Sequence, residues 1–121
     1  MEPYQYQFVE THNRYLSAWK EALRTGNPGE VDAYTARHVR AEFGYAGVAD
    51  PGLRELISAH RGAEHRCENR VIRPRNETEV VVFYERIMER EGKILAQYQL
   101  LQTWRQIEGE WRLIRELVEK L

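Results

Sequence analysis

Phe8, His12, Tyr15, Trp19 and Leu23 recur at spacings of four, three, four and four, with Val9 and Leu16 beside them. On a backbone of 3.6 residues per turn these positions form one apolar stripe, which predicts a helix from Tyr4 to Thr25. Gly26 stands where a left-handed residue would end it. Asn27-Pro28-Gly29-Glu30 then supplies a cap, a proline suited to the first helical position and a glutamate three residues after the cap. A short second helix is expected to about Arg37, with Val31 and Tyr34 inward. Val39 to Tyr45 alternates apolar with polar or small residues, the period of a strand with one buried face, and would turn Phe43 and Tyr45 inward. Asp50-Pro51-Gly52 opens a third helix whose stripe is Leu53, Leu56, Ile57 and His60, ending near Arg61-Gly62.

From Arg66 onward the chain changes to long runs rich in β-branched and aromatic residues, separated by short polar turns. Strands are expected at Cys67–Arg73, Glu79–Glu89, Ile94–Ile107 and Trp111–Val118, with Glu91-Gly92 as one two-residue hairpin turn and Glu108-Gly109 or Gly109-Glu110 as the other, the first of which continues the register. The last segment could also be drawn as a helix. A tight turn after so long a strand usually returns as a hairpin partner, so a strand is preferred. The expected fold is α+β: three N-terminal helices packed in a strongly curved, mostly antiparallel sheet, one domain spanning residues 1–121.

Regular hairpins through those turns would set Glu85 opposite Tyr98, Phe83 opposite Leu100, Trp104 opposite Leu113 and Gln102 opposite Arg115. One face then gathers Val81, Phe83, Glu85, Ile87, Ala96, Tyr98, Leu100, Gln102, Trp104, Trp111, Leu113, Arg115 and Leu117, and as the more apolar face it is assigned to the helices. The reverse face mixes Val80, Val82, Tyr84, Ile114 and Val118 with Arg86, Gln97, Gln99 and Glu116. It is too apolar for a wall left in water, and a homodimer contact through this outer face is expected.

Composition narrows the partners. Eighteen Lys+Arg against nineteen Asp+Glu give a formal net charge of -1, so no global field draws the chain to nucleic acid or an anionic membrane. No apolar run reaches the roughly 18 residues of a membrane span, and Met1-Glu2-Pro3-Tyr4-Gln5-Tyr6 is not a secretory leader, so a cytoplasmic location is expected. The lone Cys67 cannot form an internal disulfide. His12, His38, His60 and His65 show no metal-ligand spacing, and no Gly-rich phosphate loop or Ser-His-Asp order occurs. Neither a metal nor a cofactor is expected.

The aromatic first helix ending Tyr15-Leu16-Ser17-Ala18-Trp19, the short helix after Asn27-Pro28-Gly29-Glu30, the strand Glu42-Phe43-Gly44-Tyr45 and the terminal Gly109-Glu110-Trp111-Arg112-Leu113-Ile114 resemble, in order and spacing, the nuclear transport factor 2-like superfamily over nearly the whole chain. The resemblance implies a cone in which a curved sheet wraps the long helix and leaves a pocket at its open end, often in homodimers. Its members include SnoaL-like cyclases, ketosteroid isomerase, scytalone dehydratase and limonene epoxide hydrolase, beside others that only bind ligands or proteins. Fold alone therefore leaves the chemistry open. Asp32 and Asp50, the only aspartates, do not fall on the late strands where the isomerase and cyclase acids would be expected, so no catalytic residue carries over.

The register nominates its own candidates. Glu85 on the apolar face would be desolvated and suited to proton transfer, with Tyr98 as donor to a developing oxyanion. Arg115 beside Gln102 could hold a carboxylate or enolate, or equally pair with a glutamate. Tyr15, Trp19, Tyr34, Phe43 and Trp104 could line an aromatic pocket, although stripes of this kind usually serve packing. His38 is the histidine to test as acid or base, whereas His12 and His60 read as satisfied core or boundary residues. The function expected is binding of a small apolar or cyclic ligand, with cofactor-free isomerisation, cyclisation or dehydration if the protein is an enzyme. The alternative is a non-catalytic dimerisation or protein-interaction module with a filled cavity.

Overall fold

The computed structural model describes residues 3–35 and 52–121. The elements run α1 (Pro3–Thr25), α2 (Gly29–Ala33), α3 (Gly52–Ala59), β1 (Glu64–Asn76), β2 (Glu79–Arg90), β3 (Lys93–Ile107) and β4 (Glu110–Lys120). The four strands form one antiparallel sheet in sequence order, and the terminal segment is a strand. The strand expected at Val39–Tyr45, together with His38, Phe43 and Asp50, lies outside the described residues. Pro28, not Asn27, is the N-cap of α2 and makes no side-chain cap; Asn27 Oδ1 accepts the Gly29 N–H at 2.9 Å from one residue further out.

The apolar stripe of α1 lies on the sheet. Phe8, His12, Tyr15, Trp19 and Leu23 are all fully buried, against Val80, Val82, Tyr84, Met88, Leu100, Trp104, Trp111 and Leu113 from the strands. A parallel bridge Thr35↔Leu113 ties the end of α2 to β4. Both expected hairpin turns form. Glu91-Gly92 and Glu108-Gly109 each place two consecutive residues at positive φ, 52° and 78° in the first and 52° and 81° in the second. That is the two-residue turn whose twist matches paired strands, and glycine takes the second left-handed position without strain.

Beyond the turns, the pairing departs from a regular ladder. Arg90↔Lys93 and Glu89↔Ile94 follow the expected register, but Met88 then pairs with Ala96, leaving Leu95 as an extra residue on β3. In the second hairpin Trp104↔Leu113 is as expected, but Thr103 pairs with Arg115, so Ile114 is extra on β4. A third irregularity between Glu68 and Val71 includes Asn69 at φ 53°. Each such bulge bends its strand and adds twist, which curves the sheet around α1.

Because side chains alternate, one inserted residue exchanges the faces of everything beyond it. β3 keeps the expected inner set of Ala96, Tyr98, Leu100, Gln102 and Trp104. On β2 the inward residues are Val80, Val82, Tyr84, Arg86 and Met88, where Val81, Phe83 and Glu85 were expected. On β4 the inner face carries Glu116 in place of Arg115.

Candidate functional site

Gln102, at the middle of β3, is the centre of a buried polar network. Its Oε1 lies 3.0 Å from the Trp104 indole nitrogen and 3.1 Å from His12 Nε2. The indole can only donate, so this end of the amide is the carbonyl, and His12 must also donate to it from Nε2. That leaves His12 Nδ1 as an acceptor, and Arg70 Nη1 stands 3.1 Å away to fill it while donating to Asn13 Oδ1 at 2.8 Å. The amide nitrogen of Gln102 faces Glu116 Oε2 at 2.6 Å and the hydroxyls of Tyr84 and Tyr15 at 3.2 and 3.4 Å. One short residue type thus joins α1, β2, β3 and β4.

Arg86 extends the network along β2. Its guanidinium is buried, lies 3.8 Å from the centroid of the Trp19 ring, and donates to Tyr84 Oη at 2.9 Å and to His65 Nε2 at 3.1 Å. Because His65 Nε2 accepts, its proton sits on Nδ1. His65 Nδ1 and Trp19 Nε1 are both buried without a hydrogen-bond acceptor among the described residues, and their rings stack at 5.6 Å. Two N–H donors are therefore left over beside the guanidinium. A buried donor without a partner costs about 1–3 kcal/mol unless something else supplies an acceptor.

Burial sets the protonation states. The His12 pKa is lowered to about 3, first by desolvation, with the cations of Arg70 and Arg86 adding to it and the bond to Gln102 opposing it. Desolvation and then Arg86 hold His65 well below the ordinary imidazole value. Burial pushes the Tyr84 phenol well above its usual value, with Arg86 opposing, and raises the half-buried Cys67 thiol as well. The site therefore holds two neutral imidazoles and a neutral phenol. Rings surround His12: Phe8, Tyr15, Tyr84 and Trp104 lie at centroid distances of 5.4 to 5.7 Å. Among the described residues no three His, Cys, Asp or Glu side chains are grouped to hold a metal ion.

Of the expected ligand-lining residues, the structure brings Tyr15, Trp19, Gln102 and Trp104 together. Tyr34 is half-buried and packs edge-on to Tyr15 at 5.6 Å and Trp104 at 6.2 Å. Its other side lines an open cleft of about 630 Å³ with Arg14, Ser17, Glu30 and Arg112. His38 and Phe43 lie outside the described residues.

Two placements are corrected. Glu85 lies on the outer face opposite Gln99, where its Oε2 accepts from Asn69 Nδ2 at 2.8 Å, so it does not meet Tyr98. Tyr98 is on the inner face but pairs with Arg86. Arg115 is exposed on the outer face opposite Thr103 rather than Gln102. The cause is the same in each case: the inserted Leu95 and Ile114 turn β2 and β4 by one residue.

Sequence reasoning missed Arg86, Tyr84 and Glu116 for that reason, and His65 because β1 starts earlier than the pattern suggested. A signal existed for β2. Its two faces are about equally apolar, so polar residues able to bond to one another, Tyr84 and Arg86, could have broken the tie.

No protein-family model matches the sequence. No curated protein matches it either. Solved structures do. A protein of unknown function with a cystatin-like fold from Nostoc punctiforme superposes with a TM-score of 0.64 at 18% identity, over 89% of this chain and 86% of its own. A protein from Novosphingobium aromaticivorans, provisionally named a scytalone dehydratase, gives 0.64 at 16% identity over 100% and 89%. A protein from Xanthomonas campestris, provisionally named a calcium/calmodulin dependent protein kinase II association domain, gives 0.56 at 16% identity over 87% and 81%. The fold is the nuclear transport factor 2-like cone. Identities this low establish architecture and nothing of activity. No helix among the described residues is long and apolar enough to cross a membrane.

Proposed function

We propose that this cone binds a small, largely apolar molecule carrying a carbonyl, enolate or carboxylate oxygen, held in the interior between α1 and the sheet. The observation that carries the reading is the pair of acceptorless N–H donors, Trp19 Nε1 and His65 Nδ1, flanking the buried guanidinium of Arg86. These two buried donors, on rings that both contact Arg86, are groups that an oxygen of a flat ligand would satisfy. Should the protein be an enzyme, the network supports cofactor-free proton transfer of the kind used in isomerisation, cyclisation or dehydration. Glu116, oriented by Gln102, is the carboxyl group at hand, and Tyr84, whose oxygen already accepts from Arg86 and Gln102, keeps its own proton to donate.

One observation favours a second reading, a non-catalytic module with a filled interior. His12, Gln102 and Trp104 satisfy one another and are enclosed by rings, which leaves the middle of the network no need of a ligand. A ligand panel separates the two readings. Cyclic ketones and aromatic carboxylates are titrated while tryptophan fluorescence and melting temperature are followed, with wild type and His65→Phe compared. The first reading expects saturable binding that His65→Phe weakens at least tenfold while leaving the circular dichroism spectrum unchanged. Binding that is indifferent to His65→Phe, or no response across the panel, overturns it.

A further inference from the structure

His65 belongs to two places at once. Its ring stacks on Trp19 beside Arg86, and it also lines a cleft of about 410 Å³ between α1 and the start of β1, together with Lys20, Arg24, Gly62, Ala63 and Glu64. Small-molecule sites are of this size, roughly 300–1,000 Å³. Local structure explains both walls. Lys20 and Arg24 each follow a buried residue of the α1 stripe, Trp19 and Leu23, and at a spacing of four they stand one above the other along the edge of that stripe. Opposite them, the Gly62 N–H donates to the Leu23 carbonyl at 2.8 Å, which fastens the approach to β1 against the end of α1. Gly62 and Ala63 carry too little side chain to fill the space between the walls.

His65 closes the cleft on its inner side. The residue is only 5% exposed, its Nε2 is taken by Arg86 Nε at 3.1 Å, and its Nδ1 donor is left without an acceptor. The charges around it are unevenly used. Arg24 is bound through two nitrogens by Glu21, whereas Lys20 and Glu64 have no ion-pair partner among the described residues. Lys20 is near enough to His65 for its cation to add, after burial and Arg86, to the lowering of the imidazole pKa. The imidazole N–H therefore lies between a buried guanidinium and a free ammonium, and Glu64 is the one carboxylate among the lining residues.

On the reading that a ligand oxygen completes His65 Nδ1, we propose that this cleft receives the polar end of the ligand and selects a carboxylate there. One carboxylate oxygen accepts from His65 Nδ1, Lys20 balances the charge, and Glu64 opposes it. A ketone oxygen would satisfy the imidazole N–H equally well but would leave the ammonium without a counter-charge. A hydrogen bond to an ionised acceptor is roughly twice as strong as one between neutral groups, and more so with a cation alongside. The ligand class thereby narrows from any carbonyl, enolate or carboxylate oxygen to small aromatic or alicyclic carboxylates.

The test compares benzoate with its neutral ketone analogue acetophenone, each titrated by calorimetry into the full chain as wild type, Lys20→Gln, Glu64→Gln and His65→Phe. Lys20 and Glu64 are exposed, so their variants should keep the wild-type circular dichroism spectrum. Benzoate should bind saturably and more tightly than acetophenone. Lys20→Gln should raise the benzoate Kd roughly three- to tenfold and Glu64→Gln should lower it roughly two- to threefold, with acetophenone unmoved by either. Raising salt from about 20 to about 500 mM should weaken benzoate alone. A benzoate Kd that rises in His65→Phe but not in Lys20→Gln, one that rises in Glu64→Gln, or acetophenone binding as tightly as benzoate would overturn carboxylate selection and leave the interior-ligand reading standing. Binding indifferent to His65→Phe, or no binding of either compound, would overturn both.

Discussion

Acidification should unfold this protein partly through His12, whose ring is fully buried, neutral and bonded on both nitrogens. Its pKa is lowered from 6.5 to about 3 in the folded state. Below pH 6.5 the unfolded chain binds a proton at this residue that the native state refuses, so stability falls as pH falls, and the loss levels off only near pH 3. At about 1.4 kcal/mol per unit, the full loss is about 5 kcal/mol, of which roughly 3 kcal/mol is reached by pH 4.5. His65 is shifted the same way and adds to the slope, so the informative quantity is a difference. Urea unfolding of wild type and His12→Gln is measured between pH 7 and 4.5. Glutamine keeps a donor for Gln102 but cannot titrate. The stability advantage of wild type over the variant should shrink by roughly 3 kcal/mol across that interval. In parallel, the His12 ring resonances of the folded wild type should stay those of a neutral imidazole down to about pH 4. An advantage independent of pH, or a His12 ring that titrates near 6.5, would refute the reasoning.

Gln102→Leu should be far more damaging than its conservative shape suggests, because it strips the acceptor from Trp104 and His12 and the donor from Glu116 at once; a loss of about 3–5 kcal/mol in urea unfolding is expected. Gly109→Ala, at φ +81° with no atom near the added methyl, should cost about 1 kcal/mol through backbone strain alone, read as a lowered melting temperature with an unchanged spectrum.

The elements of this fold are local, and they were legible as such. The stripe from Phe8 to Leu23 made α1, the Glu-Gly pairs made the hairpin turns, and the inner set of β3 from Ala96 to Trp104 followed directly from the first turn. Four residues of the eventual site, Tyr15, Trp19, Gln102 and Trp104, came with those elements. His12 stood in the same stripe, and its role as a satisfied interior residue followed from its spacing. The faces of β2 and β4 did not follow. An inserted residue such as Leu95 or Ile114 disturbs little more than one rung of the ladder, about 1 kcal/mol, and leaves no mark in a period-two pattern whose two faces are almost equally apolar. What offsets that cost is contact between residues far apart in the chain. Arg86 lies on Trp19, and Tyr84 and Glu116 meet Gln102 beneath α1. The sequence on its own therefore determined the order and type of the described helices, strands and turns, though not all of their ends. Which side chains of β2 and β4 face the interior was decided by tertiary structure alone, because that choice depends on partners that only the closed cone brings together.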